Sequence, residues 1–282
     1  MKLYNKEEKA WRKFAVFVAI FFACMLVATA AGMVMMRFSD NMLLMQAVTS
    51  IIMFGLAAFE YGCLYERKNF FKGLFFTKVK WQWLAAALCV WIVGLPFIEA
   101  VSVDSDYGKM IEMLVSDTSI GGLVALIIVM ALLPAVLEEW FFRGVLQRLF
   151  ISWTKRVWVG LILASTVFSL IHFDLPNFFA RFVLGMMLGM LYLYSGNIWT
   201  NITYHFINNA AAAISMWYCA RQGGGCSDGF DFPVIVSVVS VLAVVACVFY
   251  CIRKLKPNTA FDELLTANEP MVETEGETMT EL

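Results

Sequence analysis

The chain alternates between long apolar stretches and short polar segments in which basic and acidic residues collect. Each apolar stretch is about as long as a helix that crosses the roughly 30 Å hydrocarbon core of a bilayer. The stretches run near Phe14–Met36, Met42–Leu64, Trp81–Ser102, Ser119–Leu137, Val157–His172, Phe178–Tyr194, Ile198–Ala220 and Val234–Cys251. The pattern predicts an all-α integral membrane protein with eight transmembrane helices.

The composition supports a membrane protein and excludes several other classes. Hydrophobic residues make up 61% of the 282 residues, charged residues make up 15%, and the mean hydropathy is +0.74. A net charge of −1 and the lack of a basic stripe exclude a nucleic-acid partner. The expected surroundings are a lipid bilayer, which is a bacterial inner membrane or a eukaryotic endomembrane according to the source.

The positions of lysine and arginine predict the topology. If the N-terminus lies inside, 17 of the 21 basic residues fall in inner segments and the other four in outer ones. Basic residues collect on the cytoplasmic side of membrane proteins, and one helix more or fewer would spread them over both sides. We therefore expect both termini to be cytoplasmic.

Two regions follow from this topology. Residues 1–256 form the polytopic membrane domain, and residues 257–282 form a tail that has acidic residues, no basic residue and few apolar ones. Such a tail is expected to be disordered and cytoplasmic, because it cannot bury enough surface to offset its ordering entropy. Cys219 and Cys226 both lie on the predicted outer side, and they can form a disulfide if that compartment is oxidising.

Candidate chemistry begins in the fourth stretch, where Glu138, Glu139 and Arg143 lie in an apolar setting. Ionisable side chains are costly in a membrane and are functional candidates by default. Residues four apart share a helix face, so Glu139 can pair with Arg143, while Glu138 points about 100° away. This division makes Glu138 the candidate base. Pro134 predicts a kink or a widened turn beside it.

The only two histidines each lie in another apolar stretch. Phe168 and His172 are four residues apart, as are His205 and Asn209, so each pair projects from one helix face. Estimated depths of Glu138, His172 and His205 differ by about 10 Å at 1.5 Å per residue, which helix tilt can absorb. Taken singly, each of these polar groups is explained equally well as a structural contact between two helices. Together they favour one catalytic site.

The ordered set of motifs resembles the intramembrane endopeptidases that group the type II CAAX prenyl proteases with the bacterial Abi proteins. The first motif is Glu138-Glu139-x-x-x-Arg143, the second is Phe168-x-x-x-His172 and the third is His205-x-x-x-Asn209. Each motif alone is weak, but their order and intervals are specific. The resemblance covers roughly residues 119–215, and outside this motif core the match is only in hydropathy and helix count.

This resemblance implies hydrolysis of a peptide bond in a membrane-associated protein or peptide. Glu138 and His172 would activate a water molecule, while His205 and Asn209 would stabilise the oxyanion. Glu139, Arg143 and Phe168 would support them. The cofactor is either absent or zinc, and a zinc ion would be held by Glu138, His172 and His205. The chain lacks the helical zinc signature His-Glu-x-x-His.

Two other functions stay open at this point. One is a catalytically idle membrane scaffold or immunity protein that keeps the polar site for structure. The other is an ion-coupled transporter in which Glu60, Glu99 and Glu138 line a path with the histidines. No inverted repeat with paired broken helices is evident, which disfavours the transporter.

Overall fold

The computed structural model describes residues 10–66, 78–103, 113–222 and 232–262, together with residue 265. Over these residues the protein consists of eight long helices and one short 3₁₀ turn, with no strand. The helices are α1 (Ala10–Met35), α2 (42–66), α3 (Trp81–Val101), α4 (Ile120–Thr154), α5 (Val157–Leu170), α6 (Phe178–Ser195), α7 (Ile198–Arg221) and α8 (Val234–Lys254). The all-α prediction is confirmed, and each predicted stretch corresponds to one helix.

Several of these helices can cross a bilayer. Five of them, α1 to α4 and α6, are long and apolar enough to span a membrane, and α5 and α8 contain shorter apolar segments. The protein is therefore an integral, multi-pass membrane protein. The count of eight spans and the cytoplasmic termini stay predictions.

Helix α4 extends well beyond its predicted apolar stretch, which ended at Leu137. It continues to Thr154 because its polar residues turn inward, so Glu139 and Arg143 are buried inside the protein. The charge count above included Arg143 and Arg148 among the 17 basic residues of inner segments, after the end of the fourth stretch at Leu137. The structure instead places both within helix α4. Widened π-helical turns at Ile127–Leu132 and Trp140–Gln147 flank the Pro134 segment, as expected beside a proline that removes a helical hydrogen bond.

Helix α5 ends two residues before its predicted limit. The chain leaves the helix at Leu170 through tight turns, in which the amide of His172 donates to the carbonyl of Ser169 and that of Phe173 to Leu170. Phe173 has a φ of +52°, a left-handed conformation that is uncommon for a residue with a side chain. His172 therefore lies in the turn between α5 and α6 and not within a helix.

Helix α6 lies at the centre of the bundle. In its most apolar 18-residue segment, 67% of the residues are buried, compared with 17% in the corresponding segments of α1 and α3. Its close approach to α5 depends on Gly189, because a Cβ atom there would lie 2.1 Å from Cδ1 of Leu161. Small residues of this kind let membrane helices pack closely.

The helix ends sort into two faces of the bundle. At one face Phe14 of α1 stacks on Trp153 of α4, with ring centroids 5.2 Å apart. At the other face, the indole Nε1 of Trp217 near the end of α7 donates to the carbonyl of Ser119, the N-cap of α4. Alternating spans require this arrangement, whichever face of the bundle is cytoplasmic.

The chain beyond α8 returns to the bundle instead of leaving it at once. The amide of Asn258 donates to the carbonyl of Leu193 at 2.8 Å, and Phe261 is buried against Tyr192 with ring centroids 5.3 Å apart. Gly196, which ends α6 with a φ of +62°, faces the side chain of Asn258. Residues 266–282 lie outside the described residues, so the disordered tail stays a prediction. Cys226, half of the disulfide left open above, also lies outside them.

Candidate active site

A buried carboxylate links two of the three motif-bearing segments. The Oε1 atom of Glu139 accepts a hydrogen bond from Nη1 of Arg143 and another from Nδ1 of His205, both at 2.8 Å. Glu139 is fully buried, and Arg143 and His205 are each only 2% exposed. The predicted pairing of Glu139 with Arg143 is present, and the same carboxylate also holds His205 on α7.

Arg143 extends this network to α6. Its Nη2 atom donates to the carbonyl oxygen of Gly185 at 3.0 Å, and its guanidinium lies 4.9 Å from the ring centroid of Phe168. A buried cation is tolerated when a carboxylate, a carbonyl dipole and an aromatic face surround it. Arg143 therefore joins α4, α5 and α6 through one side chain.

The ring of Phe168 lies between the two imidazoles. Its centroid is 5.1 Å from the ring of His172 and 6.1 Å from the ring of His205. Phe142 contacts Phe168 from α4 in an edge-on arrangement, at 5.0 Å. The second and third motifs therefore meet around one buried phenylalanine.

Hydrogen bonds define the orientation of both imidazole rings. Nδ1 of His172 lies 2.7 Å from the carbonyl oxygen of Phe168, and because a carbonyl can only accept, this nitrogen carries the proton. Nδ1 of His205 likewise donates to the Glu139 carboxylate. In the neutral form of each ring, Nε2 therefore holds the lone pair and can take up a proton.

Glu138 lies beside this network without being part of the ion pair. It is 9% exposed, and its Oε2 atom has no hydrogen-bond partner within the described parts of the chain. It lies close enough to His205, Glu139, Arg143 and Arg181 for their charges to act on it. The structure thus separates the two carboxylates, with Glu139 engaged in the ion pair and Glu138 close to His205.

Asn209 is the site residue that the described contacts do not bring to this cluster. It lies one turn beyond His205 on α7, and its Oδ1 atom accepts a hydrogen bond from Nδ2 of Asn208 at 3.3 Å. The structure thus joins His172, His205, Glu139, Arg143 and Phe168, with Glu138 alongside. The oxyanion role of Asn209 stays a prediction.

The sequence analysis missed a second polar level on the same helix faces. The Nε2 atom of Gln147 donates to the carbonyl of Gly189 at 3.2 Å, and Asn201 donates to the neighbouring carbonyl of Leu188. Gln147 follows Arg143 by four residues, and Asn201 precedes His205 by four. That spacing was a usable signal, because it continues each polar face by one helical turn.

The donor set has the chemistry of a zinc site but not its arrangement. Two imidazole nitrogens and a carboxylate are ligands that catalytic zinc accepts. Among the residues that the structure describes, however, no three His, Cys, Asp or Glu side chains are placed to share one ion. The metal role of Glu138, His172 and His205 therefore stays a prediction.

A separate cavity lies at the opposite end of α4 from the buried network. It has a volume of about 310 Å³ and is lined by the N-terminal ends of α2 and α4, including Asn41, Asp117 and Gly122. Its nearest lining residue on α4, Leu126, precedes Glu138 by three helical turns. The cavity is lined by no histidine and is distinct from the candidate site.

Comparison with known proteins agrees with the motif analysis. Residues 120–211 match the family described as type II CAAX prenyl endopeptidase Rce1-like. A 91-residue segment is 35% identical to the uncharacterized protein YpbD of Bacillus subtilis, and the match covers 31% of this chain and 43% of that protein. No solved structure matches.

The matched region contains every residue of the three motifs and the whole of the buried network around Glu139. The predicted family resemblance is therefore confirmed, and it supports a hydrolase of the CAAX protease type. Over residues 120–211, this multi-pass membrane protein is similar to the type II CAAX prenyl endopeptidases of the Rce1-like family.

Proposed function

We propose that this protein is an intramembrane endopeptidase that hydrolyses a peptide bond in a membrane-associated protein or peptide. The observation that carries the proposal is the convergence of two imidazoles on Phe168 next to two carboxylates with different surroundings. Glu139 is occupied by Arg143 and His205, whereas Glu138 lies beside them. A base and its supporting charges are thereby supplied by different side chains.

In the proposed reaction Glu138, assisted by His172, takes a proton from a water molecule. The water oxygen forms a bond to the carbonyl carbon of the peptide, and the carbonyl oxygen becomes an oxyanion. His205, held by Glu139, and Asn209 donate hydrogen bonds to this oxyanion. The carbon–nitrogen bond then breaks, and the abstracted proton passes to the leaving amine.

His205 can donate from Nε2 only when its ring is protonated, because Nδ1 is already bonded to Glu139. The Glu139 contact orients the imidazole ring, so Nε2 is the nitrogen that would donate to the oxyanion. Glu139 would thus orient His205 in addition to pairing with Arg143.

The substrate is proposed only as a chemical class. The similarity to type II CAAX prenyl endopeptidases favours a substrate that is anchored at the membrane and cleaved near its end. The membrane is a bacterial inner membrane or a eukaryotic endomembrane, depending on the source cell.

The decisive experiment compares membranes from cells that contain the native protein, the Glu138→Gln variant and the Glu60→Gln variant. Glu60 lies on α2 and serves as a matched control for the loss of a carboxylate. We expect new protein termini in cells with the native and Glu60→Gln proteins, and none with Glu138→Gln. If all three give the same termini, the protein is not a Glu138-dependent protease.

The same variant separates the other functions. A scaffold or immunity protein would keep its cellular effect with Gln at position 138, because a glutamine preserves the shape of the side chain. A transporter would lose ion-coupled flux without any change in protein termini. Either result would contradict the proposal.

A further inference from the structure

A polar cluster outside the three motifs joins the α5–α6 turn to the end of α3. The Oδ1 atom of Asn177 accepts from the amide of Val103, and its Nδ2 atom donates to the carbonyl of the same residue, both at 2.8 Å. The Nδ2 atom also donates to Oδ2 of Asp174 at 3.0 Å. One buried amide thus binds two segments that lie 74 residues apart in the sequence.

Asn177 makes these contacts at the expense of a more usual one. It occupies the position before the first residue of α6, where an asparagine side chain commonly accepts a hydrogen bond from its own helix. Here it makes no such cap. Its hydrogen-bonding capacity is directed to Val103 and Asp174 instead.

An ion pair continues the cluster toward the candidate site. Arg181, in the first turn of α6, pairs with the buried carboxylate of Asp174. The side chain of Asp174 is 1% exposed and that of Arg181 is 20% exposed. Both residues lie close enough to His172 for their charges to act on it, and Arg181 also acts on Glu138.

The residue between His172 and Asp174 explains why such an anchor is needed. Phe173 has a φ of +52°, a left-handed conformation that is sterically strained for a residue with a side chain. Its side chain is 83% exposed, so packing of the phenyl ring does not hold the backbone in place. The turn is fixed from its two sides, by the His172 contact with Phe168 and by the Asp174 contacts.

We propose that Asn177, Asp174 and Arg181 form a clamp that holds this left-handed turn and thereby positions His172 for the reaction. The inference rests on the proposed function, and none of the three residues belongs to the motifs that carry the family resemblance. They are positioning residues, which act through His172 rather than on the substrate.

The first test uses as substrate the membrane protein whose new terminus distinguishes native from Glu138→Gln cells. It measures hydrolysis of that protein by Asp174→Asn and Asn177→Ala, with Asp40→Asn as a matched control on the α1–α2 connection. We expect kcat to fall at least tenfold in both clamp variants while KM changes less than twofold, and the control to keep native values. Loss of general packing would instead lower the amount of folded protein. Native kinetics in both folded clamp variants would overturn the proposal.

A rescue experiment tests the role of the left-handed turn. Glycine adopts a positive φ without a steric penalty. The double variant Phe173→Gly/Asn177→Ala should therefore have a kcat three to five times that of Asn177→Ala alone. Phe173→Gly alone should remain near the native rate. If the double variant is as slow as Asn177→Ala, the clamp does not act through this turn.

The last test does not depend on hydrolysis. Because the chain contains only two histidines, mass spectrometry can follow the modification of each one by diethyl pyrocarbonate. In a Glu138→Gln background, Asn177→Ala and Asp174→Asn should raise the modification rate of His172 at least threefold and leave that of His205 unchanged. Unchanged rates at His172 would overturn the clamp. A raised rate at His172, combined with no hydrolysis by the protein that keeps Glu138, would instead refute the proposed function and leave the clamp standing.

Discussion

Replacing the buried carboxylate of Glu139 by a hydrocarbon side chain is expected to destabilise the protein strongly. In Glu139→Leu the guanidinium of Arg143 loses its hydrogen-bonded carboxylate and keeps the carbonyl of Gly185 and the rings of Phe142 and Phe168. Breaking a buried ion pair by removing one partner costs about 3–5 kcal/mol, because the other charge is left uncompensated. His205 also loses the acceptor for its Nδ1 proton, and an orphaned buried donor costs about 1–3 kcal/mol.

The double variant Glu139→Leu/Arg143→Met separates these two contributions. It removes both charges, so the orphaned Nδ1 of His205, the lost hydrogen bond to Gly185 and a change in packing remain. The double variant should therefore be less destabilised than Glu139→Leu alone, with a coupling energy of about 1–3 kcal/mol in the mutant cycle. Thermal unfolding in detergent, with Glu60→Gln as a control, measures each step, and the single variant should unfold roughly 10 °C below the native protein.

Two outcomes would refute this reasoning. One is a Glu139→Leu protein that unfolds within 2 °C, or roughly 1 kcal/mol, of the native protein. The other is strict additivity of the two single substitutions, because additivity would mean that the carboxylate and the guanidinium do not depend on each other.

Three further predictions concern packing, the C-terminal contact and metal dependence. Gly189→Val should lower the free energy of unfolding by about 1–3 kcal/mol, since a Cβ atom there meets Leu161. Thermal unfolding measures this loss, and the control variant Gly121→Ala should keep the native stability. Phe261→Ala, which removes a ring packed on Tyr192, should cost about 3 kcal/mol and speed cleavage of the glutamate-rich chain beyond α8 by the glutamate-specific V8 protease, and native cleavage rates would contradict the docked contact. Hydrolysis should survive treatment with 1,10-phenanthroline, and a loss of activity that zinc restores would show that the enzyme is metal-dependent.

The sequence predicted the helices well because hydropathy is a local property. Each apolar stretch became one helix, and the motif spacing identified residues that share a helix face, such as Glu139 and Arg143. Spacing within one helix cannot show which faces of different helices meet. The hydrogen bond from His205 to Glu139 spans 66 residues and follows only from the packing of α7 against α4.

The errors at helix ends have a related physical cause. Helix α4 was predicted to stop at Leu137 because charged residues usually mark the end of an apolar span, but here these residues are buried and satisfied inside the protein. Helix α5 was predicted to reach His172, and it stops earlier because Phe173 adopts a left-handed backbone that no hydropathy pattern encodes. The clamp residues were missed because Asn177 binds a distant backbone segment.

The return of the chain after α8 has a mechanical consequence. Asn258 and Phe261 attach to the last turn of α6 and to the connection that leads into α7, the helix that carries His205. Any pull on residues 266–282, whether from a fused reporter, a purification tag or a bound protein, is transmitted first to that connection. Affinity handles at this end therefore load the end of α6 and the connection that leads to the His205 helix, and an N-terminal handle avoids these contacts.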